Sequence, residues 1–418
     1  TGTMRIGETV PPTEPDAGRP LEGVRVLAAE QMAALPFATQ LLGRLGADVV
    51  KIEHPTHGES GRGATPGVTD PDGRHVGATF LRNNLNKRSV GLDLKAPEGR
   101  DLFLRLAPGF DVVCENFRAG TADRLGIGYD AVRAVHPGVV YLSVSGFGND
   151  PASPYMDWAA YAAIVEGMSG IYEYKRAPGR PPTANPVGAL GDISSALFGV
   201  VGVLAALRQR DHTGRGQYID IAMLDATVAM TDIVTNFFSM GIGSEVEAGV
   251  GIVETFAAKD GHFVLQVVRE HHFAKLAEVV GHPEWLTDER LAHRSGWLTH
   301  LDDVLRPGIE GWAADLTPLE AVEAFAAEGV AAGPSQTSAD IVGDEHLAVR
   351  NMLVEVPRPD GVDGPVLVPG NPVKLSATAE GPETRPPWLG EHTDGVLAEE
   401  LGLEQDELAA LRADGVIG

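Results

Sequence analysis

Short patterns typical of buried strands alternate with helical patterns along this chain, and they constrain its fold more than any other feature. Strand patterns occur at 23–28, 48–53, 86–94, 112–116, 139–145 and 217–223. Helical patterns lie between them, beginning with residues 37–45, which Pro36 precedes and Gly46 closes. This alternation is typical of parallel strands joined by crossover helices that cover the sheet. The sequence therefore predicts an α/β fold built on a parallel sheet.

The turn after the first strand excludes one common ligand of such folds. Dinucleotide-binding units carry a glycine-rich turn there, so that a pyrophosphate can approach the backbone. Residues 28–35 contain no glycine, although the acidic Glu53 ends the second strand as it does in those units. The sequence therefore predicts that this chain does not bind a nicotinamide cofactor in the usual way.

The stretch 188–192 places a carboxylate, Asp192, directly before a long apolar run, Ile193 to Leu207. Apolar residues recur there at helical spacing, and aspartate is a favoured N-cap, so we expect Asp192 to cap a buried helix. A helix N-terminus carries partial positive charge, which would keep this carboxylate ionised. Asp192 is therefore either a cap alone or a cap that also acts as a nucleophile or general base.

The net charge of −25 argues against nucleic acid or an anionic membrane as a partner. One segment departs from it, because residues 82–124 hold eight Lys or Arg against six Asp or Glu. A phosphate-bearing ligand would need such a local basic patch. We expect Arg100 and Arg105 to belong only to a solvated helix face.

Several classes of site and location are disfavoured by missing patterns. The single cysteine, Cys114, excludes an internal disulfide framework and favours a reducing cytoplasm. No apolar run combines the length and the lack of charge expected of a membrane span, and no signal-peptide pattern stands at the start. Metal-ligand spacings, serine elbows and phosphate loops are also missing. We therefore expect a cytoplasmic protein without a metal, whose chemistry depends on a carboxylate.

Changes in amino-acid composition along the chain indicate its domains. Residues 1–19 are rich in proline, glycine and charge and are predicted to be an arm. From Gly241 the chain becomes glycine-rich, and a hairpin is predicted after it, at 254–258 and 262–268, followed by helices. We predict a discontinuous large domain, 20–232 with 350–418, and a small domain with flanking linkers at 233–349.

Motifs spread over nearly the whole chain from residue 20 resemble one family, the class III coenzyme A transferases. The matching stretches are 20–27, 45–53, 86–95, 115–117, 123–126, 188–192, 213–217, 333–334 and 389–394. Formyl-CoA transferase and carnitine CoA-transferase belong to this family, and α-methylacyl-CoA racemase is a relative. The resemblance implies a large Rossmann-like domain completed by the C-terminal segment, a small α+β domain, and an interlocked homodimer.

The resemblance also implies roles for individual residues. Asp192 matches the catalytic aspartate, which takes CoA from an acyl-CoA donor as a covalent aspartyl-CoA thioester and passes it to a carboxylic acid. The positions implied to bind CoA, with the phosphates assigned to Lys95 and Arg124, are His54, Leu92, Lys95, Asn116, Phe117, Arg124 and Met223. Leu92 and Met223 are as consistent with a place in the core. His54 stands where formyl-CoA transferase has arginine, which weakens its match as a phosphate contact.

Departures from the family pattern bear on the substrate. The chain has no histidine between His136 and Asp192, so the second base of the racemases is missing. Ala33 replaces a glutamine of formyl-CoA transferase, an active-site glutamate has no counterpart within 159–163, and 249–253 replaces a glycine-rich run. With Trp158 and Tyr161 nearby, we expect a pocket for a bulkier or more apolar acyl group than formyl or oxalyl. An acyl-CoA racemase and a non-catalytic CoA-binding homologue remain as alternatives.

Overall fold

The computed structural model describes residues 3–173, 179–184, 189–231, 233–242, 251–358 and 360–418. Two of the sequence motifs extend past these limits, since Gly188 and residues 249–250 lie outside the described residues. The described chain divides into two compact units. The smaller is Phe237–Asp344 with Gly179, and the larger combines the chain up to residue 173 with Arg180–Asn236 and Glu345–Gly418.

The strands are named in chain order. They are β1 (Met4–Arg5), β2 (Arg25–Ala29), β3 (Asp48–Glu53), β4 (Gly67–Thr69), β5 (His75–Gly77), β6 (Lys87–Gly91), β7 (Val112–Glu115), β8 (Val140–Ser145), β9 (Gln217–Ala222), β10 (Ile252–Ala257), β11 (His262–Val267), β12 (Ala331–Pro334), β13 (Leu353–Val356) and β14 (Val366–Pro369).

The α-helices are α1 (Ala34–Arg44), α2 (Ala78–Asn83), α3 (Pro97–Leu106), α4 (Thr121–Leu125), α5 (Tyr129–Val135), α6 (Ala162–Met168), α7 (Leu190–Thr213), α8 (Met223–Ala229), α9 (Glu270–Val279), α10 (Arg294–Thr299), α11 (Arg306–Ala313), α12 (Pro318–Ala327), α13 (Ser338–Gly343), α14 (Glu345–Val349), α15 (Thr393–Leu401) and α16 (Gln405–Ala413). Short 3₁₀ and π-helical turns connect some of them.

Six strands of the larger unit form one sheet in the order β6-β3-β2-β7-β8-β9, and every neighbouring pair is parallel. The predicted parallel α/β sheet is thereby confirmed. The chain moves outward from β2 through β3 to β6 and then returns to the other side of β2 at β7. This reversal leaves a crevice at the carboxyl ends of β2 and β7, which is where open α/β sheets bind ligands.

Side chains alternate across the sheet and divide the core of the larger unit into two layers. Val26 and Ala28 of β2 face one layer, where α1 and α7 pack together. Leu27 and Ala29 face the other layer, which α3 and α5 cover. Strands buried on both faces are the reason that the sequence shows continuous apolar runs there.

Both ends of the chain pack on this unit. Val396 and Leu397 of α15 and Leu408 of α16 are buried in the second layer. The N-terminal segment, predicted to be an arm, pairs β1 in parallel with β13 and buries Met4 beside that strand. Residues 3–19 therefore lie along the C-terminal segment.

The long helix α7 corrects one expectation from the sequence. By length and composition alone it could cross a membrane, so the expectation that no run meets both criteria was wrong. Half of its most apolar stretch is buried inside the protein, because α7 packs on α1, α6 and the sheet. A helix in the core of a protein can be as long and as apolar as one that spans a membrane, so these two properties of α7 are also those of a core helix.

The smaller unit is built on an antiparallel sheet of β10, β11 and β12. Its first two strands are the predicted hairpin, and they extend over Ile252–Ala257 and His262–Val267. Helices α9 to α12 enclose an aromatic core in which Phe273 and Trp297 stack with ring centroids 4.3 Å apart. This unit has a hydrophobic core of its own.

Candidate active site

Two loops of the larger unit meet between β2 and β7, where the order of the strands reverses. Gln31 and Met32 follow β2, and Asn116 and Phe117 follow β7. The Asn116 carboxamide joins the loops, since it donates to the Gln31 carbonyl at 2.9 Å and accepts from the Gln31 amide at 2.8 Å. Asn116, predicted to contact CoA, therefore uses both ends of its side chain to hold a neighbouring loop.

Buried charged side chains also hold the loop that contains Gln31. Met32 has a left-handed backbone (φ 62°), and the Glu59 carboxylate accepts its amide at 2.9 Å. Glu30, the residue after β2, is fully buried and accepts from Lys87 and from Thr39, each at 2.7 Å. Burial alone would raise the pKa of Glu30, but nearby Lys87 and Lys51 outweigh it and lower that pKa below its usual range.

Asp192 occupies the third position of α7, not the N-cap, so the predicted cap was wrong. The cap position is Ala189, which has a left-handed backbone (φ 60°) and offers no side-chain hydrogen bond. A carboxylate from another helix does the capping, because Glu166 of α6 accepts the Gly191 amide at 3.1 Å. The Asp192 side chain is thereby left available for other contacts.

The Asp192 carboxylate receives no hydrogen bond from any residue that the structure describes. Burial raises its pKa to about 6, the nearby Glu166 adds to the rise, and the Arg82 guanidinium opposes it. The sequence predicted that the helix terminus keeps this carboxylate ionised, and burial works against that effect by raising the pKa. At pH 7 a carboxyl with that pKa is still about nine-tenths ionised, but more basic than an ordinary aspartate.

A cavity of about 270 Å³ opens beside Asp192 at the carboxyl edge of the sheet. Its walls include Gln31, Met32, Ala34, Asn116, Phe117, Arg118, Ser145, Met156, Trp158, Tyr161, Asp192 and Met223. Trp158 and Tyr161 are the predicted pocket residues that it contains, whereas Ala33 is buried and its neighbour Ala34 lines the wall. The buried Ser145 hydroxyl has no hydrogen-bond partner within the described part of the chain.

A second cavity of about 300 Å³ adjoins the same loops. Predicted CoA-binding residues line it, namely His54, Leu92, Lys95 and Phe117, together with His57, whose ring stacks on His54 at 3.7 Å. Leu92 is also 99% buried and bridges to Ile417, so its core interpretation holds as well. Arg124 lines neither cavity, and its guanidinium donates to Thr121 at 2.7 Å.

Sequence reasoning assigned no site role to four residues that line these cavities, namely Gln31, His57, Arg118 and Ser145. It also assigned none to Arg82 and Glu166, whose charges act on the pKa of Asp192. Ser145 ends β8, and the rule that ligands bind at carboxyl ends of parallel strands could have found it. Glu166 and Arg82 carry no such signal, because helix packing alone brings them to Asp192. Among the described residues, no group of three or more His, Cys, Asp or Glu is arranged to hold a metal ion.

A parallel sheet with two adjoining cavities at its switch point is the arrangement in which α/β enzymes bind their ligands, and one of these cavities contains a carboxylate with a raised pKa. The family model of CoA-transferase family III matches residues 21–393. The chain therefore belongs to the class III CoA-transferases and is an enzyme of that family.

Characterised relatives of the chain are CoA-transferases for several acids. The chain is 35% identical to the succinyl-CoA–L-malate CoA-transferase beta subunit of Chloroflexus aurantiacus, over 95% of this chain and 98% of that one. It is 34% identical to the formyl-CoA:oxalate CoA-transferase of Streptomyces avermitilis, over 95% of this chain and 99% of that one.

The fold has a close match among solved structures. A CAIB/BAIF family protein from Brucella suis aligns with a TM-score of 0.79 and 30% identity, covering 92% of this chain and 100% of that one.

Proposed function

We propose that this enzyme transfers CoA from an acyl-CoA to a carboxylic acid through a covalent aspartyl-CoA thioester on Asp192. The observation that carries the proposal is the state of this carboxylate. It lies in the wall of a cavity, receives no hydrogen bond from the described residues, and has a pKa raised to about 6. A carboxylate that is ionised at neutral pH, unpaired by hydrogen bonds and unusually basic is well suited to attack a thioester.

The transfer proceeds through acyl exchange at Asp192. An Asp192 oxygen attacks the thioester carbonyl carbon, the carbon–sulfur bond breaks, and CoA leaves as a thiolate while the acyl group stays on Asp192 as a mixed anhydride. The thiolate then attacks the Asp192 carbonyl, which releases the first acid as a carboxylate and leaves aspartyl-CoA. The acceptor carboxylate repeats these steps in reverse order, so that CoA leaves on the second acid and Asp192 is regenerated.

The second cavity suits the nucleotide end of CoA. Lys95 supplies a cation for phosphates, and the stacked rings of His54 and His57 with Phe117 supply flat surfaces for a base. The unpartnered Ser145 hydroxyl in the Asp192 cavity is a suitable donor for the carbonyl oxygen that becomes negative during attack. These assignments give the two adjoining cavities complementary roles.

The acyl group that we propose is bulkier or more apolar than formyl or oxalyl. Met32, Met156 and Trp158 in the wall of the Asp192 cavity support this choice. Relatives named for succinyl-CoA show that the family handles four-carbon acyl groups. A larger apolar wall favours acids that bring more apolar surface to bury.

Trapping the intermediate tests the proposal. The enzyme is incubated with a panel of acyl-CoA esters, treated with hydroxylamine, and digested for mass spectrometry. We expect a hydroxamate on the peptide that contains Asp192, and none in the Asp192→Ala variant. Exchange of the α-proton with heavy water without any adduct would instead indicate a racemase, and CoA binding without either reaction a non-catalytic homologue.

We also propose that the enzyme is a cytoplasmic homodimer. One face of α7 leaves Leu197, Phe198, Val201 and Leu204 partly exposed, between 37% and 63% of each residue. Apolar residues clustered at helical spacing favour burial against a second copy. The free, buried thiol of Cys114 is compatible with a reducing compartment. Light scattering after gel filtration should give twice the mass of one chain. The Val201→Glu variant should give the mass of a single chain.

A further inference from the structure

Glu166 is a fully buried carboxylate that the proposed chemistry does not use. It lies in α6, and both of its oxygens have a donor. One oxygen accepts the Gly191 amide at 3.1 Å, and the other accepts the Tyr172 hydroxyl at 2.6 Å. A buried charge is costly and is retained in a fold only where other contacts or a function offset that cost.

The contact to Gly191 fixes the turn that carries Asp192. The start of α7 has no cap of its own, because Ala189 makes no side-chain hydrogen bond. Gly191 packs so closely on α6 that an added Cβ would lie 2.7 Å from Val165. Glycine at this position therefore allows the amide to reach Glu166, and the amide is one residue before Asp192.

The charge of Glu166 acts on Asp192 as well. Burial raises the pKa of Asp192, and Glu166 raises it further, while Arg82 of α2 lowers it. No other charged group in the described residues contributes, whether from α1, α6 or α8, the helices packed against α7. Asp192 thus faces one like charge from α6 and one opposite charge from α2.

We propose that Glu166 is a positioning residue for CoA transfer: it holds the first turn of α7 in place, and its negative charge strengthens Asp192 as a nucleophile. The inference rests on the proposed role of Asp192. When the Asp192 oxygen bonds to the thioester carbonyl, the carbon–sulfur bond breaks and its electron pair leaves with sulfur. Asp192 loses its negative charge in this step, so its repulsion by Glu166 is relieved as the reaction proceeds.

The test is the pH dependence of kcat/KM in Glu166→Gln. Glutamine keeps an oxygen for the Gly191 amide and can donate to the Tyr172 oxygen, so the fold is retained while the charge is removed. We expect the acid limb of the unmodified enzyme near pH 6, the pKa of Asp192, and the limb of Glu166→Gln about one unit lower. Since the nucleophile becomes less basic, kcat at pH 8 should fall about threefold to tenfold.

Two further variants keep this test decisive. Glu166→Asp retains the charge but has a shorter reach, so its kcat should fall while the acid limb stays near pH 6. Glu115→Gln is the matched control, because burial raises the pKa of Glu115 to about 7 and it accepts the Phe117 amide at 2.8 Å. An acid limb that moves with Glu115→Gln, or equally with Glu166→Asp, overturns the inference.

The inference and the proposed function can fail separately. If Asp192→Ala is inactive and Glu166→Gln leaves the acid limb where it was, Glu166 has a structural role alone and the CoA-transfer mechanism stands. If Asp192→Ala retains full activity, both the mechanism and the role of Glu166 fall.

Discussion

Glu30 and Asp192 are carboxylates of the same unit, at the same edge of the same sheet, and they are treated in opposite ways. Glu30 accepts hydrogen bonds from Lys87 and Thr39 and lies near Lys51, and its pKa is lowered. Asp192 receives no hydrogen bond from the described residues, faces Glu166, and has a pKa raised to about 6. Burial is the largest influence on both groups, so the partners decide the direction.

The difference separates a carboxylate that stabilises the fold from one that, in the proposed mechanism, the fold keeps reactive. Around Glu30, two ammonium groups and a hydroxyl offset the desolvation of the charge, and the resulting cluster holds the loop after β2. Around Asp192, Arg82 offsets only part of the effect of desolvation, so the pKa of the carboxyl stays raised. Groups held in such an unfavourable state are typical of active sites.

Removing the reactive carboxylate should have the largest effect on activity. In Asp192→Ala we expect kcat for CoA exchange between an acyl-CoA and a free acid to fall by about 10⁴-fold or more, because no nucleophile remains. Initial rates measured by chromatography of the CoA esters give the result. Residual activity within tenfold of the unmodified enzyme would contradict the assignment of Asp192.

Removing the stabilising carboxylate should have the largest effect on the fold. Glu30→Gln leaves Lys51 and Lys87 buried without a counter-charge from this position, and we expect a loss of about 3–5 kcal/mol in the free energy of unfolding. Urea unfolding followed by circular dichroism measures it. The control Glu22→Gln changes an exposed carboxylate and should alter stability by less than about 0.5 kcal/mol.

Asp192→Asn should do the reverse of Glu30→Gln and stabilise the protein, by about 3 kcal/mol at pH 7, while activity is lost. The pKa of Asp192 is above its ordinary 3.8, so the folded state takes up this proton at a higher pH than the unfolded state. The unmodified protein therefore recovers this free energy as the pH falls through 6, and the gap between the two should close by about pH 4. A gap that stays constant between pH 7 and pH 4 would contradict the raised pKa.

The smallest expected effect concerns a single contact of Glu30. Thr39→Val removes the hydroxyl that donates to Glu30 at 2.7 Å but preserves the shape of the side chain. We expect a loss of about 1–2 kcal/mol in unfolding free energy, since both lysines remain. A loss as large as that of Glu30→Gln would mean that hydrogen bonding, more than charge, stabilises this carboxylate.

The alternation of strands and helices was readable from the sequence, because the periods of apolar residues are local. Strand order was not, and the Glu30 cluster depends on it. Glu30 follows β2, Lys51 lies in β3 and Lys87 begins β6. These strands are neighbours only because the sheet is ordered β6-β3-β2. Two lysines in separate strand patterns gave no sign that they would meet one glutamate.

Part of the candidate site could also be predicted from the sequence. Resemblance to a family pointed to Asp192 and to four residues of the second cavity, His54, Leu92, Lys95 and Phe117. The predicted cap was wrong, because the Gly191 amide of α7 is capped by Glu166 of α6, which lies 25 residues earlier in the chain. Capping by a distant helix depends on packing, which a local pattern does not contain.

The two hydrogen bonds between Asn116 and residue 31, here called the Asn116 clamp, have a consequence for how the enzyme can diversify. Both of its bonds go to main-chain atoms of residue 31, which any amino acid other than proline provides. Position 116 requires a donor and an acceptor together, so aspartate and leucine would each break the clamp. The Gln31 side chain, which lines both cavities, carries no such obligation. A substitution at residue 31 by any amino acid except proline therefore leaves both bonds from Asn116 in place, so the walls of the two cavities can change there while the loop stays held.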